Sequence, residues 1–164
     1  MELFDETWIY DKWNWEVTNP VIKISFAGLD YRNQGLEKAI DFFLEEEAEK
    51  INYKFKHSDY SGKFIELIEH LGKENGVVIL IDEYDKPIID YINKEHRETA
   101  DENRQILKNF YSGLKDCDKY IKLLSSLKME TLLNFDTPVI NKSFIYLSQS
   151  FMPEYRFFKI SLFS

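Results

Sequence analysis

The run Val77-Val78-Ile79-Leu80-Ile81 constrains this chain more than any other stretch. Five apolar residues, four of them β-branched, follow one another without polar alternation. That is how a strand covered on both faces of a parallel sheet reads. Parallel neighbours need crossover connections, usually helical, so the run points to an α/β fold. Asp82-Glu83 closes the run and Pro87 follows shortly after. In open α/β sheets ligands bind beyond the carboxyl ends of the strands, which is where these two acids fall. Pro87 blocks continuation of the strand and suits the first turn of a helix.

A buried strand ending in Asp-Glu is the pattern called Walker B, whose chemistry is nucleoside triphosphate hydrolysis. The Asp helps hold Mg²⁺, usually through a water, because this small hard cation prefers oxygen ligands and keeps much of its hydration shell. The neighbouring Glu orients and deprotonates the attacking water. The plainer reading is a solvated strand end, or an acid pair favoured by the dipole of the next helix. The pair by itself leaves both readings open, since a motif is a hypothesis until its context is seen.

The flanking sequence supplies the repeating unit. Asn19-Pro20 punctuates the chain, and Val21 to Phe26 reads as a strand. Leu36, Ala39, Ile40, Phe43, Leu44, Ala48 and Ile51 form one helical stripe, with Glu45-Glu46-Glu47 as its wet face. Ser58 or Asp59 suits the cap of a second helix carrying Phe64, Ile65, Leu67, Ile68 and Leu71. Gly72 to Gly76 turns into the central strand. Beyond Pro87 the pattern predicts a short helix to Asn93, a polar loop over Lys94 to Asp101, and a longer helix with Ile106, Leu107, Phe110, Tyr111 and Leu114 on one face.

Several segments resemble one family. Trp13-Asn14-Trp15, Asn19-Pro20-Val21-Ile22-Lys23-Ile24-Ser25-Phe26, the stretch Val77 to Ile88 (VVILIDEYDKPI) and Leu107 to Lys115 (LKNFYSGLK) are similar to the bacterial AAA-ATPase-like proteins. These are P-loop ATPases often fused to a PD-(D/E)XK nuclease-like domain, and the similarity covers roughly residues 1 to 124. The resemblance implies part of a P-loop NTPase fold of the AAA-like type, three layers about a mainly parallel sheet. It makes Asp82 the Mg²⁺ acid and Glu83 the catalytic acid of ATP hydrolysis. Tyr120 to Leu124 resembles the strand whose end senses the terminal phosphate, with Ser125 in place for that role. Phe144 to Ser148 looks like a sensor strand as well, which makes Ser148 the rival.

The departures define the rest of the expectation. In the family the phosphate-binding loop precedes the segment with which this chain begins. No Gly-x-x-x-x-Gly-Lys-Ser/Thr occurs here, and Gly62-Lys63 and Gly72-Lys73 lack both its spacing and its hydroxyl. The chain therefore reads as the Walker B part of an ATPase without the Walker A strand and loop, binding ATP and Mg²⁺ weakly or not at all by itself. Three parts are expected: an aromatic segment over residues 1–19, the ATPase-like part over 20–125, and a divergent tail over 126–164. With the phosphate-loop strand missing, the strands of the apolar tail from Phe144 to Phe163 should have a bare edge, prone to self-association or to a protein partner. A non-catalytic protein-binding module built on the same fold is the competing function.

Composition excludes other classes. At 164 residues, 44% hydrophobic and 16% aromatic, the chain can bury a real core. A net charge of −8 argues against a nucleic-acid surface, and the alternation Tyr53-Lys54-Phe55-Lys56-His57 reads as a solvated strand or loop. Trp8, Trp13 and Trp15 offer stacking surfaces, although aromatics so placed more often pack against the domain. The lone Cys117 rules out an internal disulfide framework and suits a reducing cytoplasm. His57, His70 and His96 are scattered without Cys partners, so a zinc site is not expected. No acid stands two residues before any lysine, so the nuclease pattern is absent. No apolar run is long enough to span a bilayer.

Overall fold

The computed structural model describes residues 14–127 and 144–147. Strands β1 (Val21–Ser25), β2 (Val77–Asp82), β3 (Ile121–Leu127) and β4 (Phe144–Leu147) form one sheet in the order β1-β2-β3-β4. The first three are parallel and β4 runs antiparallel to β3. This is the α/β arrangement, with a three-stranded parallel sheet, expected of part of a P-loop-type domain. On the side away from β2, β3 is paired by β4. The sensor-like segment over Phe144 to Leu147 is thus a strand, and its antiparallel direction is something residue pattern alone does not specify.

Five α-helices accompany the described strands: α1 (Tyr31–Gln34), α2 (Leu36–Lys50), α3 (Tyr60–Gly72), α4 (Lys86–Ile89) and α5 (Arg97–Ser112). Strand β1 alternates, with Ile22 and Ile24 buried and Val21 and Lys23 exposed. Strand β2 is nearly continuous in burial, with only Leu80 and Asp82 half-exposed. Ile22, Ile24, Ile79 and Ile81 share a core with Leu36, Ile40 and Leu44 of α2, Phe64, Leu67 and Ile68 of α3, and Leu107 and Phe110 of α5. Helix α3 starts where Asp59 caps it, the carboxylate accepting from the Gly62 N–H at 2.8 Å. The rings of Phe64 and Phe110 stack at 4.2 Å between centroids and lock α3 to α5, worth about 0.5–1.5 kcal/mol beyond the area they bury.

Helix α5 departs from expectation. It begins at Arg97 instead of after Asp101, because Asn93 starts a single 3₁₀ turn by accepting from the His96 N–H at 3.1 Å and the chain runs on as helix. Only Ala100 and Asn103 are buried in its first two turns, so its wet face reads as a loop. Helix α4 stops at Ile89, short of the expected Asn93. Lys63, on the buried face of α3, reaches Asp41 at 2.6 Å and Glu45 at 2.7 Å on α2. That pairing offsets the cost of enclosing an ammonium. Among the described residues no helix is long and apolar enough to cross a membrane.

Candidate functional site

Parallel register sets what stands at the carboxyl ends of the strands. Ser25, Asp82 and Leu127 are level with one another across β1, β2 and β3. Register partners in a parallel ladder share a face, so Ser25 and Asp82 leave the sheet on the same side. Ser125 is level with Leu80, two residues or about 6.6 Å behind Asp82 along the strand, on that same face. It is half-buried within β3 and does not close the strand. Ser148 lies outside the described residues; β4, which precedes it, runs antiparallel to β3 with Leu147 level with Leu123.

Glu83 does not continue the strand. Its φ is +51°, in the left-handed region that costs a non-glycine residue about 1–3 kcal/mol when the surroundings impose it. The chain turns there, and the Lys86 N–H bonds the Glu83 carbonyl at 3.0 Å. Oε2 of Glu83 is buried and has no hydrogen-bond partner among the described residues. A carboxylate oxygen so placed carries an uncompensated desolvation cost, unless a group from outside the chain meets it.

The residues after Glu83 are held from two sides. On one side, Asn103 of α5, itself buried, donates through Nδ2 to the Pro87 carbonyl at 2.7 Å. On the other, the Asp90 carboxylate accepts from the Tyr31 hydroxyl at 2.6 Å and from the Arg32 guanidinium, with Lys86 Nζ at 3.5 Å. Burial alone would raise the Asp90 carboxyl. The bonds from Tyr31 and Arg32 and the charges of Lys86 and Arg32 outweigh burial and hold it below the usual carboxylate range. Tyr84, ahead of both anchors in the chain, packs against the core.

A second buried polar atom without a partner among the described residues is the Tyr111 hydroxyl on α5. Burial pushes this phenol far above its ordinary value, and the nearby Tyr84 and Asp85 add to the effect. It stays a protonated donor at any working pH. Tyr111 lies in the stretch Leu107 to Lys115, but the sequence offered it only as a member of the apolar face. Tyr31, Asp90 and Asn103 were likewise unmarked as site residues; the one available hint was the i, i+4 spacing of Lys86 and Asp90.

Among the described residues no group of three or more His, Cys, Asp or Glu could hold a metal ion. Asp82 fits the weaker demand of Mg²⁺, which is bound through one or two carboxylates and completed by water and substrate phosphates. The three histidines are occupied elsewhere: His57 lies within 4 Å of Asp59 and Glu66, His70 packs on Tyr53, and His96 meets the edge of Tyr91.

Comparison with known proteins identifies a family. A family model described as Predicted AAA-ATPase matches residues 1–126. A protein of Azotobacter chroococcum mcd 1, "Uncharacterized protein in vnfD 5'region", is 36% identical over 123 residues, which cover 73% of this chain and 23% of the relative. The chain thus spans less than a quarter of that relative's length. No solved structure matches it.

Proposed function

Since the chain belongs to the AAA-ATPase-like family, we propose that it carries the Walker B half of an ATP-hydrolysing site and that the phosphate-binding loop comes from elsewhere. Asp82 is the acid that would hold Mg²⁺, the cation that ATP hydrolysis requires. The ion, when bound, neutralises charge that builds on the phosphate oxygens. Glu83 is the general base: its carboxylate takes a proton from water as the water oxygen attacks the γ-phosphorus. The bond to the β,γ-bridging oxygen breaks, and ADP and phosphate leave. Ser125, which lies on the Asp82 face of the sheet, and Ser148 are the candidate hydroxyls for the terminal phosphate.

One observation carries this reading: the Glu83 carboxylate sits at the end of the central strand, next to Asp82, with a buried oxygen that nothing among the described residues satisfies and a backbone in the left-handed region. Strain and unmatched polarity cluster where a site awaits its substrate. A solvated strand end would show neither feature. Positioning and electrostatics carry most of phosphoryl transfer, so this half-site should be nearly silent without a phosphate cradle.

The test measures ATP hydrolysis by this chain alone and with a separately expressed phosphate-loop segment from a longer family member. Activity is expected only in the mixture. Glu83→Gln should lower it at least about a hundredfold while ATP binding is kept, the loss expected for general-base catalysis. Silence in every combination would overturn the proposal and favour a protein-binding module.

A further inference from the structure

We propose that Asp90 and Asn103 are positioning residues for Glu83, forming a two-sided clamp that holds the catalytic turn in its left-handed conformation. The inference rests on the reading of Glu83 as general base, and it is scored without nucleotide.

The geometry is that of a short connector between two fixed points. Behind Glu83, β2 is fixed by its ladders to β1 and β3. Ahead of it, α4 is fixed at both ends. The Asn103 amide grips the Pro87 carbonyl at 2.7 Å in a buried position, and Pro87 has no freedom in φ. At the far end Asp90 collects the Tyr31 hydroxyl at 2.6 Å and the Arg32 guanidinium, both from α1, which follows β1. Only Glu83, Tyr84 and Asp85 are left to span from the strand to the anchored helix, and the Lys86 N–H to Glu83 carbonyl bond closes that turn. Glu83 has the positive φ among these three.

A side chain on a free loop would relax to a negative φ and hydrate its carboxylate. Here φ stays positive and one carboxylate oxygen, Oε2, stays buried, so the cost is imposed from outside Glu83, and the anchors at Pro87 and Asp90 are polar contacts that impose it. The consequence for chemistry is preorganisation: the base is held where water must be met and does not reorganise during the reaction. Asp90 and Asn103 would touch neither ATP nor the attacking water. They act through Glu83.

A double-mutant cycle on the whole chain decides the matter, with stability read by chemical denaturation. Glycine adopts a positive φ freely, so Glu83→Gly in the otherwise unchanged protein should raise the folding equilibrium constant by about fivefold. In a background of Asp90→Asn or Asn103→Ala, where the turn has already relaxed, the gain should shrink to under about twofold. A spectroscopic readout runs beside it. The strong amide to α-proton NOE within Glu83, which reports positive φ, should be present in the parent chain and weaken in both background variants.

Tyr31→Phe removes only the hydroxyl that Asp90 accepts and keeps the ring, so it serves if Asn103→Ala fails to fold. Additive effects, with the Glu83 signature unchanged in every background, would overturn the clamp even if hydrolysis proved real. Conversely, a coupled cycle in a protein that hydrolyses nothing would leave the clamp standing and remove the function assigned to Glu83.

Discussion

Ser25 and Asp82 are register partners at the carboxyl ends of adjacent parallel strands, and both point to the sheet face opposite Ile24 and Ile81. That places a hydroxyl beside the proposed metal acid. Asp82→Asn should leave stability within about 0.5 kcal/mol, because the residue is half-exposed and ends its strand. The same change should lower Mg²⁺-dependent hydrolysis in the complemented protein by roughly a hundredfold or more. Ser25→Ala should cost only about two- to tenfold, the worth of one hydrogen bond. Parallel denaturation and ATPase assays check the pair of values, and full activity in Asp82→Asn would remove Asp82 from the site.

The Tyr111 hydroxyl gives a prediction with an unusual sign. Large-to-small changes in a core usually destabilise, but Tyr→Phe removes a single oxygen, and here that oxygen is buried without a partner among the described residues. Deleting an unsatisfied donor returns its desolvation cost, so Tyr111→Phe should be neutral or stabilising by about 1 kcal/mol. Urea titration of the two proteins measures it. A loss above about 1 kcal/mol would mean that the hydroxyl is satisfied in solution, for example by an enclosed water.

The sequence revealed those elements whose residues act alone. Strand β2 was legible because Val77 to Ile81 admits almost no other structure, and α3 because Asp59 and the apolar spacing of Phe64, Leu67 and Ile68 agree. The opening of α5 was not, since Arg97, Glu98, Asp101, Glu102 and Arg104 form its wet face and resemble a loop when the two buried positions are polar or small. The acids Asp82 and Glu83 were legible as a motif. The left-handed turn at Glu83 was not, because it depends on Asn103 and Asp90, residues 20 and 7 positions away along the chain. Buried Lys63 escaped notice for the same reason: its partners Asp41 and Glu45 lie on another helix. Local pattern reports propensity, whereas polar burial is settled by contacts between elements.

Cys117 makes stability depend on pH in the alkaline range. The thiol is fully enclosed between α5 and β3. Burial first, then the charges of Glu69 and Asp116, push it up to about 11. A thiol raised in the folded state holds its proton more tightly than in the unfolded chain, where it titrates near 9. The stability it supports is therefore complete below pH 9 and is lost as pH rises through 11, by about 2–3 kcal/mol in all. Tyrosines titrate in the same window, so the comparison is with Cys117→Ala. Between pH 8 and 11 the parent chain should lose that much more stability than the variant. Equal slopes would show that the thiol is hydrated.

Gly72 closes α3 where the backbone of Tyr120 leads into β3. A Cβ at position 72 would collide with the Tyr120 carbonyl oxygen and come within 2.8 Å of its Cβ. Alanine is the better helix former by up to about 1 kcal/mol, so propensity favours Gly72→Ala. Packing opposes it, at about 1–3 kcal/mol for an overfilled site, and the obstructing atom is main chain that cannot rotate aside. Packing should win, leaving the variant destabilised by about 1–2 kcal/mol. Gly28 supplies the control: nothing lies within 4 Å of a Cβ built there, so Gly28→Ala should change stability by less than about 0.5 kcal/mol. Thermal or urea unfolding of both variants separates the two forces. A Gly72→Ala chain as stable as the parent would mean that β3 can draw away from α3, and with it the register that sets Ser125 level with Leu80.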